Sequence, residues 1–165
     1  MKTIVGDLWD CDGFKVIPVN LSINRMEQAI FGRGVAFQAA SKFKGIRNVY
    51  GRHLKITDRS RDLYVFAEFQ VICFPVKKFW NDKADLRMIR SGLTSLMGIA
   101  DRIPGSIYLP TLGCGYGELQ ESVVIPILKD YLDDRFVLVM RGKAVKDKYP
   151  ASFLPAIRND RSVGG

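Results

Sequence analysis

Ser106-Ile107-Tyr108-Leu109-Pro110-Thr111-Leu112-Gly113-Cys114-Gly115-Tyr116-Gly117 carries more structural information than any other part of the chain. A short apolar run, Ser106 to Leu109, reads as a strand and stops at a proline. Glycines then fall at alternate positions, and beyond them Val124, Ile127, Leu128 and Tyr131 recur at helical spacing. Strand, glycine turn, helix is the unit from which open α/β sheets are built. The same order occurs upstream. Phe14 to Val19 reads as a strand, and Gly32-Arg33-Gly34 opens the helix-forming run Val35 to Phe43. A helix that starts at a glycine turn offers unpaired backbone N–H groups in its first turn, which suit an anion. Glycines there let the main chain approach a phosphate closely. Neither loop is a Walker sequence, since Gly-Lys-Ser/Thr is absent, and neither has the GxGxxG spacing of a dinucleotide fold. Taken alone, each is more often a tight turn than a ligand loop. Taken together, two such loops at the carboxyl ends of strands could clamp a diphosphate.

The remaining elements follow the same alternation. Thr3 to Val5 and Phe14 to Val19 read as a hairpin-like pair of strands across Asp10-Cys11-Asp12-Gly13. Leu54-Lys55-Ile56 and Tyr64-Val65-Phe66 are short strand candidates, and Gln70 to Phe74 is a buried-looking strand stopped by Pro75. From Asp85 to Asp101 the apolar residues Leu86, Ile89, Leu93, Leu96 and Ala100 form one helical stripe, with Asp82 and Asp85 as a capped start. Phe136 to Met140 is the last strand. The pattern predicts an α/β layered fold with a largely parallel or mixed sheet. No internal repeat is present. The polar tail from Lys143, with Pro150 and Pro155, reads as a short final helix or a loosely held extension.

A chain of 165 residues is one domain's worth, and 47% hydrophobic with 25% charged residues is globular composition. No apolar run approaches the roughly 20 residues of a membrane span, and Met1 and Lys2 lead into no signal peptide, so a cytoplasmic location is expected. Cys11, Cys73 and Cys114 are odd in number and have no CxxC spacing, so free thiols are expected. With His53 as the single histidine and no HExxH or paired-cysteine pattern, neither a metal site nor a cofactor is expected. The net charge of +8 favours a polyanionic partner, nucleic acid or a phosphate-bearing ligand, although it also serves solubility alone. Basic residues cluster in Lys42 to Lys55 and in Arg141 to Lys148, with Arg158 and Arg161 beyond.

The order of features resembles a macrodomain, the ADP-ribose-binding fold. The resemblance rests on Gly6-Asp7-Leu8 after the first strand, Val19-Asn20 ending the second, Gly32-Arg33-Gly34-Val35-Ala36 opening a helix, and Leu109-Pro110-Thr111-Leu112-Gly113-Cys114-Gly115. It covers roughly residues 3 to 141 and implies a three-layer sandwich, with a mixed central sheet flanked by helices. A macrodomain over residues 1–142 would be followed by a C-terminal extension over 143–165. The resemblance places the adenine amino group on Asp7 with Leu8 beside it, and the distal ribose on Asn20. It places the diphosphate on Gly32, Arg33, Gly34 and Val35 and on Leu112, Gly113, Cys114, Gly115 and Tyr116. Met140 and Arg141 fall where the family often sets a residue against adenine.

Phe74-Pro75-Val76-Lys77, followed by Trp80, Lys83 and the Asp85 helix, is similar to one branch of that family. The branch includes the DNA ADP-ribosyl glycohydrolase antitoxins and the terminal ADP-ribose protein glycohydrolases. By that resemblance Lys77 reaches the distal ribose and carries catalysis. An amine attacks an anomeric carbon, or forms a Schiff base on the opened sugar, once it is neutral, a state favoured by desolvation and by a like charge alongside such as Lys78. Protein-directed members pair the lysine with an aspartate two residues after Gly-Cys-Gly, where this chain has Gly117 followed by Glu118. The DNA-directed members also carry glycine there. Phe79 and Trp80 either stack on a base or line the entrance, or else cover the core; Tyr116 either closes over the phosphates or is a surface tyrosine; and Cys114 has no adjacent base to make it a nucleophile. The segment Leu21 to Phe31, with Asn24, Arg25 and Glu27, is longer than usual and could reshape the distal-ribose pocket. Three functions remain open: removal of ADP-ribose from nucleic acid, or less favourably from protein; binding of ADP-ribose without turnover; and hydrolysis of a small metabolite using Asn20 and a water.

Overall fold

The structure, a computed structural model, describes residues 1–142. The expected extension over 143–165, and with it Lys146, Lys148, Arg158 and Arg161 of the basic tail, lies outside the described residues. Twelve elements run in the order β1 (Lys2–Val5), a 3₁₀ turn (Leu8–Asp10), β2 (Phe14–Asn20), α1 (Gly34–Lys42), α2 (Ile46–Ile56), β3 (Tyr64–Phe66), β4 (Val71–Lys77), α3 (Leu86–Ile99), a second 3₁₀ turn (Ala100–Arg102), β5 (Ile107–Leu109), α4 (Glu121–Tyr131) and β6 (Phe136–Met140). The strands form one mixed sheet in the order β1-β6-β5-β2-β4-β3. Only β3 runs antiparallel to its neighbour.

The period-2 alternation of the strands sorts the core into two halves. On one face Val16, Ile72, Phe74, Ile107, Leu109, Phe136 and Leu138 pack with Ile89, Leu93 and Leu96 of α3 and Val124, Ile127 and Leu128 of α4. On the other Ile17, Val19, Val71, Cys73 and Val139 pack with Val35, Ala36 and Ala39 of α1 and Ile46, Tyr50 and Leu54 of α2. The three layers are therefore helices, sheet, helices. No helix among the described residues is long and apolar enough to cross a membrane.

Four readings of the sequence are corrected. β1 and β2 are not a hairpin: β6 and β5 lie between them and all four strands are parallel. The Asp10–Gly13 turn carries the chain back to the start of a parallel strand rather than reversing it beside its neighbour. Leu54-Lys55-Ile56 is not a strand but the last turn of α2, whose Ile46, Tyr50 and Leu54 are buried at four-residue steps. β4 does not stop at Pro75 and runs on to Lys77. There β3 pairs only with Val71 to Cys73, and the ladder with β2 shifts register between Val19 and Asn20, an irregularity at which a missing N–H is tolerated. Finally, Asp85 alone caps α3, accepting from the Arg87 N–H at 2.8 Å, while the Asp82 carboxylate accepts from the Phe79 N–H at 3.0 Å.

Candidate functional site

Because β1, β6, β5, β2 and β4 are parallel, their carboxyl ends gather on one side of the molecule, where ligands of open α/β sheets bind. A cavity of about 390 Å³ opens there, within the usual range for a small-molecule site. The carboxyl end of each of these parallel strands contributes to its wall: Gly6 and Asp7 after β1, Asn20 of β2, Lys77 of β4, Pro110 and Thr111 after β5, and Met140 and Arg141 at β6. Of the residues singled out from sequence, Asp7, Leu8, Asn20, Gly32, Arg33, Gly34, Val35, Lys77, Gly113, Cys114, Gly115 and Tyr116 all line it, as does Trp80. Leu112 does not; its side chain is fully buried in the core beneath the second loop.

The two glycine loops meet. Arg33 donates from Nη1 to the Tyr116 hydroxyl at 2.8 Å, and its guanidinium lies 5.5 Å from the centre of the Tyr116 ring. A cation and a string of main-chain N–H groups thus border one side of the cavity. Arg33 is also the N-cap of α1 and makes no side-chain cap bond there, and Gly34, Val35 and Ala36 of the first helical turn line the cavity.

Asn20 and Lys77 are partners in the β2–β4 ladder. Both side chains are at least nine-tenths buried and both line the cavity. The Asn20 amide is fixed at both ends: its oxygen accepts from the Ser22 N–H at 2.9 Å and its nitrogen donates to the Ile30 carbonyl at 2.9 Å. A primary amide has two N–H donors, so this geometry still leaves one to be aimed at a ligand. At the far end of the cavity Asp7 caps the first 3₁₀ turn through the Trp9 N–H at 3.0 Å, which fixes its carboxylate beside Leu8.

The long segment between β2 and α1 is an ordered loop. Asn24 holds its tip, accepting from the N–H groups of Met26 and Gln28, and an isolated bridge joins Ile23 to Ala29. Its outer side leans on α2, where Ala29 and Arg47 exchange hydrogen bonds and Lys55 pairs with Glu27. Its inner side places Ile30 in the cavity wall.

Gly113 and Gly117 explain the second loop. Gly113 has a φ of +76°, where L side chains are strained. A Cβ at Gly117 would lie 2.5 Å from the Gly113 carbonyl oxygen and 2.7 Å from the Ala84 Cβ. No side chain fits at that position without its neighbours shifting. Glu118 is exposed and does not line the cavity; Glu121, which reading the sequence did not single out, does. It accepts from the Thr111 hydroxyl at 3.3 Å. Burial, with Glu121 nearby, pushes the Cys114 thiol up to about 11, which keeps it protonated at neutral pH. Gln38 was also missed. It is buried, lines the cavity, and accepts from the Trp9 indole N–H at 2.7 Å. Its place on the inner face of α1, one turn beyond the glycine loop, was the available signal.

No protein-family model matches the sequence. Several solved structures share the fold. The macrodomain of Mycobacterium tuberculosis DarG superposes with a TM-score of 0.69 at 24% identity, covering 84% of this chain and 99% of that one. The macrodomain of Thermus aquaticus DarG gives 0.71 at 24% identity, with 86% and 97% covered. Thermosipho africanus DarTG, solved in complex with ADP-ribose, gives 0.71 at 21% identity and covers 87% of this chain and 42% of that one. A DNA ADP-ribosyl transferase-DNA ADP-ribosyl glycohydrolase fusion protein from Thermosipho africanus (strain H17ap60334) is 34% identical over 67 residues, 37% of this chain. That match spans 16% of the length of the fusion protein.

Proposed function

We propose that this chain, whose fold is that of the macrodomains, binds ADP-ribose in the cavity and removes it from a modified DNA base, with Lys77 as the reacting amine. The observation that carries the reading is the pairing of Asn20 with Lys77 across adjacent parallel strands, both buried and both in the wall that the two glycine loops close. Asp7 and Leu8 would take the adenine end. Arg33 and the amides of Gly32 to Val35 and Gly113 to Tyr116 would take the diphosphate, with Leu112 fixing the second loop from beneath.

The neutral Lys77 amine adds to the anomeric carbon of the distal ribose as the glycosidic bond to the base breaks. The bonding pair leaves with the base, which gains a proton, and the lysine nitrogen loses one. Water then adds at the same carbon and ADP-ribose departs, restoring the amine. If the sugar ring opens first, the amine displaces the base from the same carbon to give a Schiff base, the base leaving with the C–N bonding pair and a proton, and water then hydrolyses the Schiff base and frees the amine. Asn20 orients the sugar by its remaining amide N–H. The likeness to DarG macrodomains and to the fusion protein supports a nucleic-acid substrate, as do the charge of +8 and glycine at position 117. Residues 1–142 form the binding and catalytic unit in this reading, with 143–165 an extension to it, and the setting is cytoplasmic.

A second reading, recognition of ADP-ribose without turnover, draws on the same glycine: no carboxylate can stand at position 117 to assist the lysine. A Lys77→Ala variant separates the two. Calorimetry should give it an affinity for ADP-ribose close to that of the unaltered protein, while release from ADP-ribosylated single-stranded DNA falls at least about a hundredfold. A variant that releases at the unaltered rate removes Lys77 from the chemistry. An unaltered protein that binds ADP-ribose yet releases nothing from DNA or protein is a binding module.

A further inference from the structure

We infer that the strap between β4 and α3, residues 78–84, is a platform for the nucleotide next to the modified one, with Phe79 stacking on its base and Lys78 and Lys83 meeting its phosphates. This rests on the reading of the cavity as an ADP-ribosyl-DNA site and extends it to the strand that carries the modification.

The strap is tied down along its length. Its start is held where the Lys78 carbonyl accepts from the Leu21 N–H at 2.9 Å and the Trp80 N–H donates to the Ser22 hydroxyl at 3.1 Å. Its end is held where the Ala84 N–H donates to the Gly117 carbonyl at 3.0 Å, and the following Asp85 N–H donates to the Val76 carbonyl at 2.7 Å. It therefore spans from the Asn20 side of the cavity to the second glycine loop, directly after Lys77. Trp80 faces the cavity. Phe79 does not line it and is 40% exposed, a large ring left facing solvent with the Lys78 ammonium 5.3 Å from its centre. A flat apolar face beside a cation is the pairing that holds an unpaired base and its phosphate, and it tolerates any base. The surrounding charge agrees. Lys78, Lys83 and Arg90 are exposed basic residues on and beside the strap, Arg87 pairs with Asp85 at 3.4 Å, and Asp82, the other acid close by, accepts from the Phe79 N–H. Because the strap is fixed before any ligand arrives, little ordering cost attends stacking.

The test compares a ten-nucleotide single-stranded DNA bearing one ADP-ribosylated base with the same modification on a mononucleotide. Binding is measured by fluorescence anisotropy and calorimetry in the Lys77→Ala background. The ten-mer should bind roughly tenfold tighter than the mononucleotide. Phe79→Ala and Phe79→Leu should erase most of that gain, Phe79→Trp should keep it, and all three should bind free ADP-ribose as the parent does. Lys78→Gln should lower the slope of log affinity against log salt by about 0.7. Equal binding of the ten-mer by the parent and Phe79→Ala, or no preference for the ten-mer over the mononucleotide, overturns the inference. Failure of free ADP-ribose to bind would instead sink the reading of the cavity, and with it this inference.

Discussion

Replacing Gly117 by aspartate puts a carboxylate next to the second glycine loop, and the structure predicts damage rather than gained activity. The new Cβ would sit 2.5 Å from the Gly113 carbonyl oxygen and 2.7 Å from the Ala84 Cβ, whereas ordinary contact begins at 3.4 Å. Neither neighbour can rotate aside, since one is backbone and the other a methyl on a strap whose own N–H is bonded to the Gly117 carbonyl. Relief requires the second loop to shift by something near an ångström. Overpacking of this kind costs about 1–3 kcal/mol, and rigid backbone neighbours put it at the upper end. For a domain of this size ~3 kcal/mol lowers the melting temperature by roughly 10 °C. The same shift moves the amides of Gly113 to Tyr116, so under the proposed function loss of one charge-assisted hydrogen bond would weaken ADP-ribose binding about tenfold or more. Thermal melts and calorimetry on Gly117→Asp and Gly117→Ala would read both numbers. Alanine adds the Cβ without the charge, so the two variants should lose similar stability. An aspartate variant that melts within a degree of the unaltered protein and releases ADP-ribose faster would refute the steric reasoning.

Two further outcomes follow from titrating groups. Cys114, held up at about 11 by burial, should alkylate slowly at pH 7.5, its rate still rising with pH at pH 10, and under the proposed function Cys114→Ala should release ADP-ribose from DNA as the unaltered protein does; a rate that levels off near neutral pH would contradict this. His53 packs 4.6 Å from the Tyr64 ring, and its Nε2 is buried with no hydrogen-bond partner among the described residues. Burial lowers its pKa below the ordinary 6.5, with Asp62 opposing. The unfolded chain therefore binds the proton more readily, so this contribution to stability is complete above about pH 6.5 and declines as the pH falls toward the folded value. Urea melts between pH 8 and pH 5 should show a decline that His53→Leu flattens, and parallel curves for the two proteins would reject the assignment.

How far the sequence could be read depended on whether the signal was local. The α3 stripe and the two glycine loops depend on neighbouring residues, whereas Asp7, Asn20 and Lys77 were singled out by the family resemblance; the structure packs the stripe into the core and sets the loops and those three residues around one cavity. The α2 helix was missed because its last turn, Leu54-Lys55-Ile56, looks like a strand in isolation, although Ile46, Tyr50 and Leu54 mark one buried face. Glu121 and Gln38 carry no motif, and only folding brings them to the cavity wall.

By itself the sequence determined the alternation of strands and helices and the two loops able to meet an anion, because hydrophobic period and glycine placement act over a few residues. Tertiary structure alone decided three things: that two strands separate β1 from β2, that Arg33 reaches Tyr116, and that position 117 admits no side chain. Each depends on residues far apart in the chain being packed within a few ångströms of one another, a distance that only the folded sheet sets.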